Sequence, residues 1–145
     1  MDILDCDALQ LSALLEAREL SAVELMRETI ERIAAVNGEV NAIVALRDPE
    51  KLLDDARRMD QTERRGWLHG LPLAVKDLVD VEGMVTSMGS PIYAGQVAQQ
   101  DSVIVQRMRR EGALFIGKTN TPEFGLGSHT FNDVYGATRN PYDLT

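Results

Sequence analysis

The sequence contains a single cysteine, Cys6, so no disulfide bond can form within the chain. This excludes a disulfide-stabilised secreted domain and favours the reducing cytoplasm, where we expect the protein to be located. No basic segment followed by an apolar run opens the chain, so no signal peptide is predicted. The longest stretch without charged residues, 83–100, contains three Gly, one Pro and three Gln, which excludes a membrane-spanning helix.

Basic residues are also scarce: 15 Lys and Arg stand against 23 Asp and Glu, giving a net charge of −8 over 145 residues. Such a surface repels phosphates and anionic lipids, so we expect no direct nucleic-acid binding and no membrane association. His69 and His129 lie too far apart in sequence for a metal-ligand motif, and the glycines form no phosphate-binding or dinucleotide-binding pattern. No metal and no cofactor are therefore predicted.

The composition, with 44% hydrophobic and 26% charged residues, is that of a globular protein with a core. Residues 1–66 are predicted to form an N-terminal helical segment. Its three helices and one short strand are expected over residues 7–19, 21–38, 49–65 and 40–46. Asp7 is expected to cap the first helix, and Ser21 with Glu24 forms a capping box for the second.

Residues 67–145 are predicted to form the first part of an α/β core. Two apolar runs, 71–76 and 113–118, indicate neighbouring or near-neighbouring strands of one sheet that are buried on both faces, with helix 102–111 crossing between them. Asp101 is expected to cap this helix, and its apolar residues are expected to face inward: Val103, Ile104, Val105 and Met108. The remaining residues, from Lys118 onward, are rich in Gly, Asn and Pro and are predicted to be loops and short turns.

The chain has only three lysines, and two of them end predicted strands. Lys76 follows a buried run, and burial lowers the pKa of a lysine, which makes its neutral form available as a general base. The alternative is an ion pair with Asp77 or Asp80 at the end of the strand. Lys118 is predicted to have a structural role, and Lys51 is predicted to lie on a charged helix face.

Five blocks within residues 68–145 resemble, in the right order, the amidase signature family of amide hydrolases and glutamine-dependent amidotransferase A subunits. The blocks are Leu68–Gly83, Thr86–Ser90, Asp101–Val105, Gly112–Phe124 and Tyr135–Asp143. Residues 7–66 resemble the N-terminal helices of that family more weakly. The resemblance implies an α/β fold in which N-terminal helices precede part of a mixed central sheet.

The resemblance also implies an amidase that uses a Ser–cis-Ser–Lys triad, with Lys76 as the base. In that family the lysine acts through a bridging serine on a second serine, which attacks the amide carbonyl and forms an acyl-enzyme. A loop near the acyl-binding cavity corresponds to Gly125, Leu126, Gly127 and Ser128, so these residues are predicted to bind a small-molecule amide substrate. A purely structural turn is the alternative for this loop.

Both serines of the family triad lie in a glycine- and serine-rich segment, and none of the six serines here stands in that context. The sequence is therefore interpreted as the N-terminal portion of an amidase that is inactive alone. One alternative is the A subunit of a glutamine-dependent tRNA amidotransferase, which acts with a partner subunit. Another is a non-catalytic interaction module. Exposed apolar surface is expected to favour a homodimer or a partner subunit.

Overall fold

A computed structural model describes residues 3–144 of the chain. The predicted three helices and short strand are present as α1 (Ala8–Ala17), α2 (Ala22–Val40), β1 (Ile43–Val44) and α3 (Pro49–Asp60). Asp7, Ser21 and Asp48 precede these helices, and each side chain accepts a hydrogen bond from the backbone N–H of the third helical residue. Such caps satisfy N–H groups that have no partner within the helix.

Helix α2 continues past Asn37 and Gly38, where the sequence predicted its end. The Asn37 side chain points forward instead: its Oδ1 accepts from the N–H groups of Ala42 and Ile43, and its Nδ2 donates to the Ile43 carbonyl. Asn41 takes the left-handed conformation that ends the helix. Asn37 therefore joins α2 to β1 rather than terminating the helix.

The predicted strand–helix–strand unit is present as β2 (Pro72–Lys76), α4 (Val103–Arg110) and β3 (Leu114–Thr119). Strands β2 and β3 are parallel, and β1 pairs antiparallel with the other side of β3, so the sheet order is β1-β3-β2. Burial is confirmed for β3. The prediction of burial is wrong for β2, whose residues are partly buried or exposed. The reason is that β2 is an edge strand within the described chain.

Helix α4 buries a narrower stripe than predicted. Val105 is fully buried and Met108 packs against the core, but Val103 and Ile104 are exposed on the outer face. A helix that covers only one side of a sheet needs a single apolar stripe, and these two residues fall outside it. Asp101 does not cap α4, because its carboxylate binds an arginine in the last turn of the helix and a backbone N–H elsewhere.

Strand β3 separates two hydrophobic clusters. Leu114 and Ile116 pack against α2 and α3 on one side of the sheet. Phe115 packs on the other side with Val105 of α4 and with Val81 from the loop after β2. The sheet therefore has a core on both faces.

A bulge interrupts the pairing of β2 with β3. The pairs on either side of it are Leu73–Phe115 and Ala74–Gly117. Ile116 is thus an extra residue in β3, and the alternation of faces reverses beyond it. As a result Lys118, in register with Val75, lies on the face opposite to that of Ile116.

The last part of the described chain consists mostly of loops and turns, as predicted. Two short strands, β4 (Phe131–Asn132) and β5 (Gly136–Ala137), form a small antiparallel hairpin there. Single turns of 3-10 helix occur at Ile3–Asp5, Pro91–Tyr93 and Glu123–Gly125.

Candidate active site

The carboxyl ends of β2 and β3 meet at one edge of the sheet because the two strands are parallel. The first loop (residues 77–90) follows β2, and the second loop (residues 120–130) follows β3. The Asp77 N–H donates to the Thr119 carbonyl at 2.9 Å, and the Phe124 N–H donates to the Met88 carbonyl at 2.8 Å. The two loops are thus joined both at the strand ends and further along.

Lys76 is the last residue of β2 and is exposed at this edge. Its Nζ lies 3.5 Å from the backbone carbonyl oxygen of Asn120, the first residue of the second loop. The ion pairs of residues 3–144 do not include Lys76, so its suggested pairing with Asp77 or Asp80 is not found. The burial expected for Lys76 is not found either, since β2 lies at the sheet edge.

Burial is found instead at Lys118, whose side chain is fully enclosed. Its Nζ donates to the Val79 carbonyl at 2.6 Å and to the Thr86 hydroxyl at 2.8 Å, both in the first loop. Burial lowers the pKa of the Lys118 ammonium, and the nearby carboxylates of Asp77 and Asp80 oppose that shift. The structural assignment of Lys118 is consistent with these contacts.

Asp77 is fully buried next to the exposed Lys76. Its carboxylate accepts hydrogen bonds from the Ser87 hydroxyl and from the Ser87 N–H, the latter at 3.1 Å. Ser87 is itself fully buried, and its hydroxyl oxygen also accepts the N–H of Gly89. A substrate cannot reach this serine, so its contact with a carboxylate fixes the loop rather than forming a nucleophile.

Two asparagines that the sequence analysis did not assign to the site hold the second loop in place. The Oδ1 of Asn120 accepts from the Thr121 N–H at 3.0 Å and from the Asn132 Nδ2 at 2.7 Å. The Nδ2 of Asn120 donates to the Gly136 carbonyl and to the Thr138 hydroxyl, each at 3.1 Å. The only sequence signal for this role is the position of Asn120 directly after a buried strand.

Three of the four predicted substrate-binding residues line a cavity of about 420 Å³: Leu126, Gly127 and Ser128. Gly125 does not line it. Its φ is +73°, and a Cβ there would lie 2.8 Å from a methyl group of Leu78, so Gly125 lets the second loop pass close to the first.

The cavity is acidic and apolar. Glu123 and Asp133 line it together with His129 and the exposed ring of Phe131, and its described lining contains no lysine or arginine. The Ser90 hydroxyl donates to the Glu123 carboxylate at 2.7 Å and so orients it. This lining suits a neutral or cationic ligand with an apolar part better than an anion.

Four of the six serines make hydrogen bonds that serve the fold. Ser12 donates to the Trp67 carbonyl, and Ser21 caps α2. Ser102 precedes α4, and its buried hydroxyl has no hydrogen-bond partner among the described residues. Ser87 and Ser90 hold carboxylates as described above. Ser128 is exposed and lines the cavity.

Within residues 3–144, no three His, Cys, Asp or Glu side chains are placed to hold a metal ion. No helix in that range has the length and apolar character needed to span a membrane.

Comparison with protein families matches residues 24–145 to the family model described as Amidase. The A subunit of the glutamyl-tRNA(Gln) amidotransferase from Acidothermus cellulolyticus is 42% identical to this chain and matches 99% of it. The acylamidase of Rhodococcus erythropolis is 40% identical and matches 94% of the chain. In both comparisons the chain spans 29% of the relative's length.

Solved structures give the same result for the fold. The 6-aminohexanoate cyclic dimer hydrolase, solved with its substrate, matches 98% of this chain with a TM-score of 0.86 and 34% identity. The native peptide amidase of Stenotrophomonas maltophilia matches 97% of it with a TM-score of 0.86 and 34% identity. The chain covers 29% and 31% of these two structures.

Proposed function

The chain belongs to the amidase family, and from that premise we propose that it provides Lys76 as the general base of a Ser–cis-Ser–Lys amide hydrolase. The observation that carries the proposal is the placement of this lysine. It is exposed at the carboxyl end of a parallel strand and faces the first residue of the loop that lines the cavity. Ligand sites of open α/β sheets lie at this edge.

In the proposed reaction, the Lys76 amine accepts the proton of a bridging serine, which in turn accepts the proton of the nucleophilic serine. The nucleophile attacks the amide carbonyl, the amine leaves with a proton, and water releases the acid from the acyl-enzyme. Both serines have to come from outside these 145 residues. Four of the six serines here are engaged in the fold, the Ser102 hydroxyl is buried at the start of α4, and Ser128 stands in a different loop.

We assign the acyl part of the substrate to the cavity beside the second loop. Leu126 offers apolar contact there, and Gly127 and Ser128 leave room for a ligand. Gly125 shapes the loop without lining the cavity. The substrate class that fits is a small, uncharged or cationic amide with an apolar acyl group.

A chimera tests Lys76 directly. The present chain replaces the matching N-terminal part of the Rhodococcus erythropolis acylamidase, and turnover of a simple amide is measured. We expect Lys76→Met to lower kcat by about a thousandfold, in the range that a general base contributes. Lys51→Met is the matched control, because Lys51 is an exposed lysine on α3, and it should leave kcat unchanged. Parental turnover in the Lys76→Met chimera would exclude Lys76 as the base.

The second candidate is the A subunit of a glutamine-dependent tRNA amidotransferase, favoured by the 42% identity to a protein of that name. A chimera with the Acidothermus cellulolyticus protein should then hydrolyse glutamine, and do so fully only with partner subunits. Turnover of apolar amides without partners would favour the hydrolase instead. For either candidate we propose a cytoplasmic location, which the single cysteine supports.

A further inference from the structure

We propose that Lys118 is a positioning residue for Lys76 and acts from the opposite face of the sheet. This inference deepens the proposed function and rests on Lys76 as the base. Lys76 is the last residue of β2, and Lys118 is the penultimate residue of the parallel strand β3. Lys118 is in register with Val75, and Lys76 is in register with Thr119. Side chains alternate along a strand, so Lys118 lies under the first loop while Lys76 points to the other face.

The buried ammonium of Lys118 holds two separate points of the first loop. It donates to the Val79 carbonyl at 2.6 Å, near the start of the loop, and to the Thr86 hydroxyl at 2.8 Å, near its end. Thr86 and Lys118 are both buried, and the buried carboxylate of Asp77 supplies the opposite charge nearby. The single side chain of Lys118 therefore connects the early and the late part of the first loop.

This connection reaches Lys76 through the residues next to it. Asp77 follows Lys76 directly, and its N–H, its carbonyl and its carboxylate are all hydrogen-bonded, to Thr119, Met88 and Ser87 respectively. On the neighbouring strand, Lys118 lies two residues before Asn120, whose carbonyl faces the Lys76 ammonium at 3.5 Å. The buried network thus fixes the backbone on both sides of the Lys76 contact.

A charged side chain does this better than an apolar one of similar size. The two hydrogen bonds of the Lys118 ammonium are directional, so they fix the positions of the Val79 carbonyl and the Thr86 hydroxyl relative to β3. Methionine at this position would fill the space but would leave both acceptors without a donor. Lys118 therefore fixes the first loop through directional hydrogen bonds as well as through packing.

The test uses the full 145-residue chain and a pair of variants at Thr86, followed by NMR of the labelled lysine side chains. Substitution of Lys51 and of Lys76 assigns their two signals, and the remaining signal belongs to Lys118. Thr86→Val keeps the shape but removes the hydroxyl acceptor, and Thr86→Ser keeps the acceptor. We expect Thr86→Val to speed amide exchange in the first loop about tenfold and to displace the Lys76 signal.

The Thr86→Ser variant should restore both the slow exchange and the parental Lys76 signal. Exchange in α2 should stay unchanged in both variants. Faster exchange in the first loop with an unmoved Lys76 signal would show that Lys118 serves stability alone and would overturn the proposal. Unchanged exchange in Thr86→Val would overturn it as well.

A second variant removes both charges, because Lys118→Met alone leaves the Asp77 carboxylate buried without its counter-charge. The double variant Asp77→Asn with Lys118→Met should fold and should displace the Lys76 signal as Thr86→Val does. An unmoved signal in this variant would contradict the proposal. None of these NMR and exchange measurements depends on turnover. An active Lys76→Met chimera would therefore contradict the proposed function, while the effect of Lys118 on the position of Lys76 could still be measured.

Discussion

His69 links the end of α3 to the segment before β2 through both ring nitrogens. Its Nδ1 accepts the Arg65 N–H at 3.1 Å, and its Nε2 lies 3.2 Å from the Met59 carbonyl oxygen. This arrangement requires a neutral ring with the proton on Nε2. Burial lowers the pKa of His69, the charges of Arg64 and Arg65 act in the same direction, and the Met59 carbonyl and Asp60 oppose them.

The resulting prediction is a loss of stability in mild acid. In the unfolded chain His69 binds a proton near its ordinary pKa of 6.5, whereas in the folded chain it does so only at lower pH. The unfolded state therefore takes up more protons below that value, and the free energy of unfolding falls as the pH falls. Urea titrations at about pH 7.5 and about pH 5.5 measure the difference.

Substitution of His69 distinguishes its contribution to the pH dependence of stability from that of carboxylates that titrate in a similar pH range. His69→Gln should remove part of the pH dependence in this window. His129→Gln is the matched control, because His129 is exposed in the second loop, and it should leave the dependence as it is. Equal pH dependence in the two variants would contradict the role given to His69.

At the scale of the elements, two glycines next to or within helices should respond oppositely to alanine. Gly38 lies inside α2 with no atom within 4 Å of its would-be Cβ, so Gly38→Ala should stabilise the chain by about 0.5–1 kcal/mol. Gly112 follows α4 with φ at +92°, and its Cβ would lie 2.7 Å from the Cα of His69. Gly112→Ala should therefore destabilise it by at least about 2 kcal/mol.

Thermal or urea unfolding of the two variants checks this pair. A destabilising Gly38→Ala would mean that Gly38 ends α2, as the sequence pattern indicated, and that the continuous helix is wrong. A neutral Gly112→Ala would mean that the turn after α4 relaxes without cost.

Elements with local signals were predictable, and those decided by distant contacts were not. The Ser21 capping box and the order strand, helix, strand follow from neighbouring residues, and both are confirmed. The end of α2 depends on Asn37 bonding forward to β1, and the exposure of Val103 depends on which side of the sheet α4 covers. Neither contact is visible in a local pattern.

The same distinction applies to the candidate site. That Lys76 and Lys118 lie at the carboxyl ends of β2 and β3, within one residue of the last, was predictable from the apolar runs before them. Which lysine is buried was not, because that depends on the extra residue Ile116, which turns Lys118 under the first loop. The local mark of this bulge is Gly117, directly after the extra residue, because a glycine within a strand often accompanies a bulge.

At the scale of the whole molecule, the 145-residue chain alone is expected not to hydrolyse amides. Lys76 has no serine beside it among its described contacts, and removing triad members costs several orders of magnitude in rate. Release of ammonia or amine from a simple amide measures this, with the active chimera as positive control. Turnover by the chain alone that disappears in Lys76→Met would show that it contains a complete site.

The chain should also self-associate through the surface around the second loop. Leu126 and Phe131, which line one cavity, are 79% and 65% exposed, and the rings of Tyr93 and Phe124 pack edge to face at 6.2 Å in the same region. Grouped apolar side chains of this kind favour association more than scattered ones do.

Sedimentation should detect a dimer or larger species, and Leu126→Ser with Phe131→Ser should shift it to monomer. Leu9→Ser is the control, because Leu9 is 73% exposed but lies on α1, and it should leave the assembly unchanged. A parental chain that sediments as a monomer at high concentration would contradict this prediction, and equal dissociation by the α1 control would place the contact elsewhere.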